Sequence, residues 1–196
     1  MKKLSLIWVL LMIAGAFAAG CVYITFQQSE RDGADVPAMM AAKQCVFELE
    51  NGASPQDALP AGTDMFTTIT PFVMIYDSDA NLIASSGLRS GVFLPAYQGY
   101  PAGCLTAADK TGENRVTWQP ASYLRFATVV LKYQDPTHST QYYYVVGANS
   151  LLESERATGN FGDLLMIGCG LYAIGCGVLL SIAGMITRHG KNKRTV

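Results

Sequence analysis

Cys45 and Cys104 are the two cysteines in the polar middle of the sequence. In an oxidising compartment they form a candidate pair. A disulfide between them would close a loop of 59 residues, worth about 3–4 kcal/mol on loop-entropy grounds. The alternative is two separate thiols, Cys45 in a helix and Cys104 in a loop, because pairing requires Cα atoms within roughly 7 Å. Cys21, Cys169 and Cys176 lie in apolar runs and read as packing residues. No CxxC or Cys/His spacing occurs, so the pattern indicates no metal site.

Asp77, Asp79 and Asn81 have the alternate spacing that opens a calcium loop. Leu82 stands where that loop needs Gly, and the downstream acid is missing, so the trio reads as a turn between strands. His138 and His189 fit no Ser/His/Asp or Cys/His arrangement. Ser85, Ser86 and Ser90 lack a Gly-x-Ser-x-Gly frame. The expectation is a protein without catalytic residues and without a cofactor.

A ligand pocket would show in aromatics and arginines. Tyr97, Tyr100 and Trp118 fall in or beside loops, and Tyr144 closes the run Tyr142-Tyr143-Tyr144 at the start of a strand. Arg125 shares a strand face with Ala127, Val129, Leu131 and Tyr133. It either clamps a carboxylate, or pairs with an acid or snorkels to water. Tyr97, Tyr100, Trp118, Arg125 and Tyr144 are the candidate ligand-binding set.

The surrounding chain constrains these residues strongly. It has 196 residues, half of them hydrophobic and 15% charged, with a mean hydropathy of +0.21. Leu4–Phe26 is a run of 23 residues without charge, and Leu164–Thr187 one of 24. Each is long enough to cross roughly 30 Å of hydrocarbon as a helix. The first reads as an uncleaved anchor. Ala18-Ala19-Gly20-Cys21 also allows cleavage, simple or with lipidation at Cys21, but the apolar run continues past it to Phe26. Lys2, Lys3, Arg188, Lys191, Lys193 and Arg194 flank the two runs, which places both termini in the cytoplasm and Gln27–Asp163 outside. Eight bases against fifteen acids leave that middle at a net charge of −7. No nucleic-acid-binding face survives such a balance.

Cys169, Ala173, Gly177 and Ser181 recur every four residues in the second run. Such a small-residue stripe packs the two spans together, or serves dimerisation or docking to another membrane protein. The expected partners are therefore the lipid bilayer, a small-molecule ligand, and a membrane protein or a second copy. The nine residues after the second run hold no output module. No Asn-x-Ser/Thr site occurs, which fits a prokaryotic cell membrane.

Between the spans the pattern predicts a helix over 36–51, with Asp35 as N-cap, Pro37 in the first turn, and Met39, Val46 and Leu49 on its apolar stripe. A hairpin follows, Phe72–Tyr76 and Leu82–Ser86. Next come a short strand Arg115–Trp118 closed by Pro120, a central strand Leu124–Tyr133, and a returning strand Tyr142–Ala148. A last helix capped by Asn149 or Ser150 leads into the second span, with Gly159 and Gly162 loosening the junction. The fold class is α+β, an antiparallel sheet with flanking helices between two transmembrane helices.

The hairpin Tyr76–Leu82, the segment Glu113–Pro120 and the ending Val145–Glu153 give residues 72–156 an order that resembles the extracytoplasmic PAS-like or Cache sensor domains of prokaryotic membrane receptors. The resemblance implies a small-molecule sensing fold that signals through a separate partner. The other reading is a structural or accessory membrane subunit that uses its outer domain for protein–protein interaction.

Overall fold

Residues 2–65, 67–89, 92–93, 100–134 and 142–192 are described by the computed structural model. The element order is α1 (Lys2–Glu50), β1 (Thr63–Asp64), β2 (Phe72–Tyr76), β3 (Leu82–Ser85), β4 (Gly87–Arg89), β5 (Val92–Phe93), α2 (Ala102–Thr106), β6 (Glu113–Ala121), β7 (Leu124–Gln134), β8 (Tyr142–Ser150) and α3 (Leu152–Asn192). A 3-10 turn, Ala107–Asp109, follows α2. The chain divides into two compact units, Met1–Ser29 with Ala157–Val196, and Glu30–Arg156.

The first unit consists of the outer parts of α1 and α3, both long and apolar enough to span a membrane. These stretches reach a mean hydropathy of 2.3 and 2.1, and large side chains such as Phe17, Ile24, Leu164 and Met166 are exposed on them. That profile is consistent with helices that cross a membrane. The two helices also touch each other. Phe26 stacks on Phe161 with ring centroids 4.2 Å apart, and the Tyr172 hydroxyl donates to the Leu11 carbonyl at 3.3 Å. Gly15 leaves room for the Tyr172 ring, since a Cβ there would lie 2.6 Å from it.

The second unit is built on a five-stranded antiparallel sheet in the order β3-β2-β8-β7-β6. A small sheet, β1-β4-β5, lies beside it. Alternation along β2 sends Phe72, Met74 and Tyr76 to one face and Val73 and Ile75 to the other. All five are buried. The first face collects Tyr100, Leu105, Trp118, Phe126, Val130, Tyr144 and Val146. The second is covered by α1 through Ala42, Cys45 and Leu49.

Several expectations are corrected. The helix expected over 36–51 is the C-terminal part of α1, which begins at Lys2. Asp35 is therefore not an N-cap, and Pro37 lies inside the helix. Proline there forfeits one helical hydrogen bond. Burial of Ala34 and Ala38 on either side keeps the helix on the sheet nonetheless. The buried stripe is lined mainly by small side chains, Ala34, Ala38, Ala42 and Cys45, with Leu49 as expected, while Met39 and Val46 are only half-buried. β6 runs through Pro120 to Ala121, because an edge strand does not need every N–H. The central strand is β8, with β7 next to it. Asn149 and Ser150 end β8, and α3 opens at Leu152 and continues through Gly159 and Gly162. The Ser150 hydroxyl still accepts the Leu152 N–H at 3.3 Å. The hairpin is formed as expected by β2 and β3.

Candidate functional site

The aromatic face of the sheet gathers three of the five candidate ligand-binding residues. Tyr100, Trp118 and Tyr144 all belong to its buried cluster. Their rings pack on one another and on neighbours: Tyr100 to Trp118 at 5.8 Å, Trp118 to Phe126 at 5.6 Å, and Phe126 edge-on to Phe72 at 5.1 Å. The hydroxyls have partners within the domain. Tyr100 and Thr128 share a 2.7 Å hydrogen bond. The Tyr100 N–H donates to the Tyr76 hydroxyl at 3.1 Å. Burial pushes the Tyr76 phenol up to about 12 and raises Tyr100 as well. Among the described residues, no buried side-chain N or O lacks a hydrogen-bond partner. Among the described residues, this face is a buried aromatic cluster.

Arg125 is on the other side of the sheet, one position out of phase with Phe126. Its guanidinium pairs with Glu155 at 2.7 Å, with both side chains open to solvent. Of the two roles open to Arg125, the structure shows the pair with an acid. The five-residue ligand set is thus not brought together. Tyr97 lies outside the described residues.

Asp109 is the residue that the sequence pattern did not flag. It closes the 3-10 turn after α2 and sits against strands β7 and β8 beside the aromatic cluster. Its Oδ1 accepts from Lys132 Nζ at 2.8 Å and from the Tyr144 hydroxyl at 3.0 Å. Lys132 also lies over the Tyr142 ring, 4.0 Å from its centroid. The Lys132 hydrogen bond is the largest influence holding the Asp109 carboxyl below its ordinary range, with Tyr144 adding to it. Burial comes first among the causes that raise the Tyr144 phenol. Asp109 therefore clips the α2 segment to strands β7 and β8.

The linkage has a defined sign. A carboxyl lowered in the folded state stabilises above its unfolded value of about 3.9 and loses that contribution as pH falls through the folded value. In melting experiments, Asp109→Asn is expected to lower the midpoint at pH 7 and to converge with the native chain in acid. A constant difference across the pH range would refute the clip.

The Asp77 trio is a turn. The Asp77 Oδ1 accepts from the Asp79 and Asn81 N–H groups at 2.9 and 2.8 Å, and the Asn81 amide donates to Oδ2 at 3.1 Å. Burial would raise this carboxyl, but the bonds from Asn81 and Asp79 outweigh it and leave it lowered. Among the described residues, no group of three His, Cys, Asp or Glu is placed to hold a metal ion.

Cys45 and Cys104 are both free thiols, which corrects the candidate disulfide. Cys45 is in the cluster under α1 and Cys104 packs on the aromatic cluster, so the sheet separates them. Burial pushes the Cys45 thiol up to about 12. A maleimide is therefore expected to label Cys45 only after denaturation, and a non-reducing gel to show no internal disulfide. Rapid labelling of Cys45 in the native chain would contradict this placement.

In the second span, Cys169, Ala173 and Gly177 are half-buried, and Gly177 is near the Trp8 ring. Gly177 is thus the member of the stripe that meets α1. Ser181 is exposed, its hydroxyl donating to the Gly177 carbonyl at 2.7 Å.

One concave surface occurs at the hairpin edge. It is a groove of about 400 Å³ between β3 and the loop carrying Gln56, Leu59, Pro60 and Gly62. It contains no titratable side chain. Comparison with known proteins finds no matching family model, no matching curated protein and no matching solved structure.

Proposed function

We propose that this chain is a two-span membrane protein whose sheet-bearing unit is an extracytoplasmic, PAS/Cache-like sensor domain, and that it hands its output to a separate membrane partner. The observation that carries this reading is the double attachment of the central strand. β8 is crossed by α1 so closely that Gly147 meets the Ala38 carbonyl, and a single residue, Leu151, separates β8 from α3. α1 and α3 are the two helices with membrane-spanning stretches. In this reading a shift in β8 acts on both. Further ties have the same effect: Asn149 Nδ2 donates to the Ala34 carbonyl at 3.2 Å, and Arg125 holds Glu155 in the first turn of α3. The sheet order, with the hairpin at one edge and a helix across the back, also supports the PAS/Cache-like reading. The flanking Lys and Arg residues support an external location for the sheet-bearing unit.

The test is a thermal-shift screen of the full chain in lipid nanodiscs. The probes are amino acids, organic acids, polyamines and divalent cations. A ligand of the native state adds about 2.7 kcal/mol at 100 times its dissociation constant, so a true ligand gives a saturable rise in midpoint. One observation favours the second reading, an accessory subunit that recognises protein. Among the described residues the aromatic face is buried, and its hydroxyls are bonded internally. A folded chain that answers to none of the probes favours that subunit.

A further inference from the structure

The five-stranded sheet has two edges, and they differ. β6 carries Glu113, Arg115 and Pro120, and charges and proline keep a strand edge from pairing with other chains. β3, Leu82–Ser85, carries neither a charge nor a proline. Among the described residues no strand pairs with its outer side. The Ser86 N–H goes inward to the Val73 carbonyl, so strand alternation turns the backbone groups of Ile83 and Ser85 outward. Gln56 Nε2 reaches the Ile83 carbonyl at 3.4 Å, a long contact in the place of an incoming N–H. The groove of about 400 Å³ lies against this edge, with Leu59, Pro60, Leu82 and Ile83 among its walls.

Charge separates one occupant from the others. Between Lys43 and Arg89 the chain holds six acids, Glu48, Glu50, Asp57, Asp64, Asp77 and Asp79, and no base. Asp57 adjoins Gln56 in the groove wall, and Asp77 and Asp79 lie in the turn that leads into β3. Asp57 and Asp79 are exposed. Neither has an ion-pair partner among the described residues, where the ion pairs are made by Arg115, Arg125 and Lys132.

We propose that the β3 edge takes an extended, basic segment of another polypeptide as an added strand. Outward backbone groups pair with an extended chain. The groove walls take apolar side chains at alternate positions of that chain. The acids around the groove draw Lys or Arg at the positions between and speed encounter. A polyamine has the charge but no backbone to pair, and an acidic segment has the backbone but is repelled. Four residues of β3 span only about 13 Å, so the contact is short and exchanges readily. The proposal does not rest on the sensor reading, and a failed small-molecule screen leaves it unchanged.

The experiment is fluorescence anisotropy with the full chain in phosphatidylcholine nanodiscs, with empty nanodiscs as the blank. The probe is a short labelled peptide of alternating Lys and Val. Saturable binding is expected. Two further peptides carry N-methyl groups, one on every Val and one on every Lys. Successive N–H groups of a strand point to opposite sides, so one of the two is expected to bind about tenfold or more weakly. A peptide of alternating Glu and Val is expected not to bind, and spermine of equal charge not to displace the probe. Asp57→Lys with Asp79→Lys is expected to weaken binding about tenfold. Both positions are exposed, and unchanged melting shows that the fold is intact. Glu153→Lys changes an exposed acid outside this stretch and is expected to leave binding unchanged. Absence of saturable binding overturns the proposal. So does equal binding of both N-methylated peptides and the parent, or displacement by spermine, since the backbone is then not read. Binding that survives the double variant, or falls as far with Glu153→Lys, also overturns it. The N-methylated peptides give their result on the native chain, whatever the variants do.

Discussion

Gly147→Val is expected to abolish cooperative unfolding of the sheet-bearing unit, and Gly147→Ala to lower its stability severely. Gly147 lies in the central strand, paired with Val73 on one side and Val129 on the other. A Cβ at this position would sit 1.9 Å from the Ala38 carbonyl oxygen and 3.0 Å from the Ala42 Cβ. The first obstacle is backbone, so no rotamer change relieves it. Either the helix lifts off the sheet or the strand leaves its register. Overpacking of a core costs about 1–3 kcal/mol and occasionally more, and a clash with the backbone of a packed helix belongs at or above the top of that range. That is a large part of the roughly 5–15 kcal/mol that holds a domain together. Gly103 is the control, with nothing within 4 Å of its Cβ position. Gly103→Ala is expected to stay within about 0.5 kcal/mol of the native chain. Thermal melting in micelles, followed by near-ultraviolet circular dichroism, checks both. A Gly147→Ala variant that melts like Gly103→Ala would show that α1 does not press on β8.

Phe126→Ala is expected to cost about 3–5 kcal/mol, the usual penalty for removing a buried aromatic ring. Phe126 is 1% exposed and touches both the Phe72 and Trp118 rings. Its removal leaves a gap in the middle of the aromatic face, where Tyr100 and Trp118 cannot close in without breaking the Tyr100–Thr128 bond. Ile69→Ala removes an exposed apolar side chain and is expected to change little. The same melting measurement reads both variants. If the two were equally mild, the aromatic face would be loosely packed, and a small-molecule site there would regain support.

The elements were largely legible in the residues, because each left a local signal. The charge-free runs mark the two helices that are long and apolar enough to span a membrane. The hairpin was readable from an apolar run, a cluster of Asp, Ser and Asn, and a second apolar run. The strand Leu124–Tyr133 stood out because it is apolar on both faces. The start of α1 was not legible, because a proline in a first turn and a proline tolerated inside a helix look alike along the chain. The difference lies in Ala34 and Ala38, whose burial against the sheet outweighs one lost hydrogen bond. The end of β6 at Pro120 misled for a similar reason: proline stops a strand only where a neighbour needs its N–H, and edge position is a property of the sheet.

The candidate site was less legible. Tyr100, Trp118 and Tyr144 were recognisable as aromatics near loops, and the fold does bring them to one face. Arg125 was separated from them by the parity of a strand whose facing was undetermined until its neighbours were known. Asp109 left no pattern of its own, since a single acid after two alanines gains meaning only when Lys132 and Tyr144 arrive from strands far along the chain. Cys45 and Cys104 looked like a pair by count and were parted by a sheet. Composition and periodicity by themselves determined that two apolar helices flank one acidic α+β unit, because hydrophobicity and charge act residue by residue. Only the tertiary structure decided which side chains meet, because strand order and facing depend on contacts between residues that the chain keeps apart.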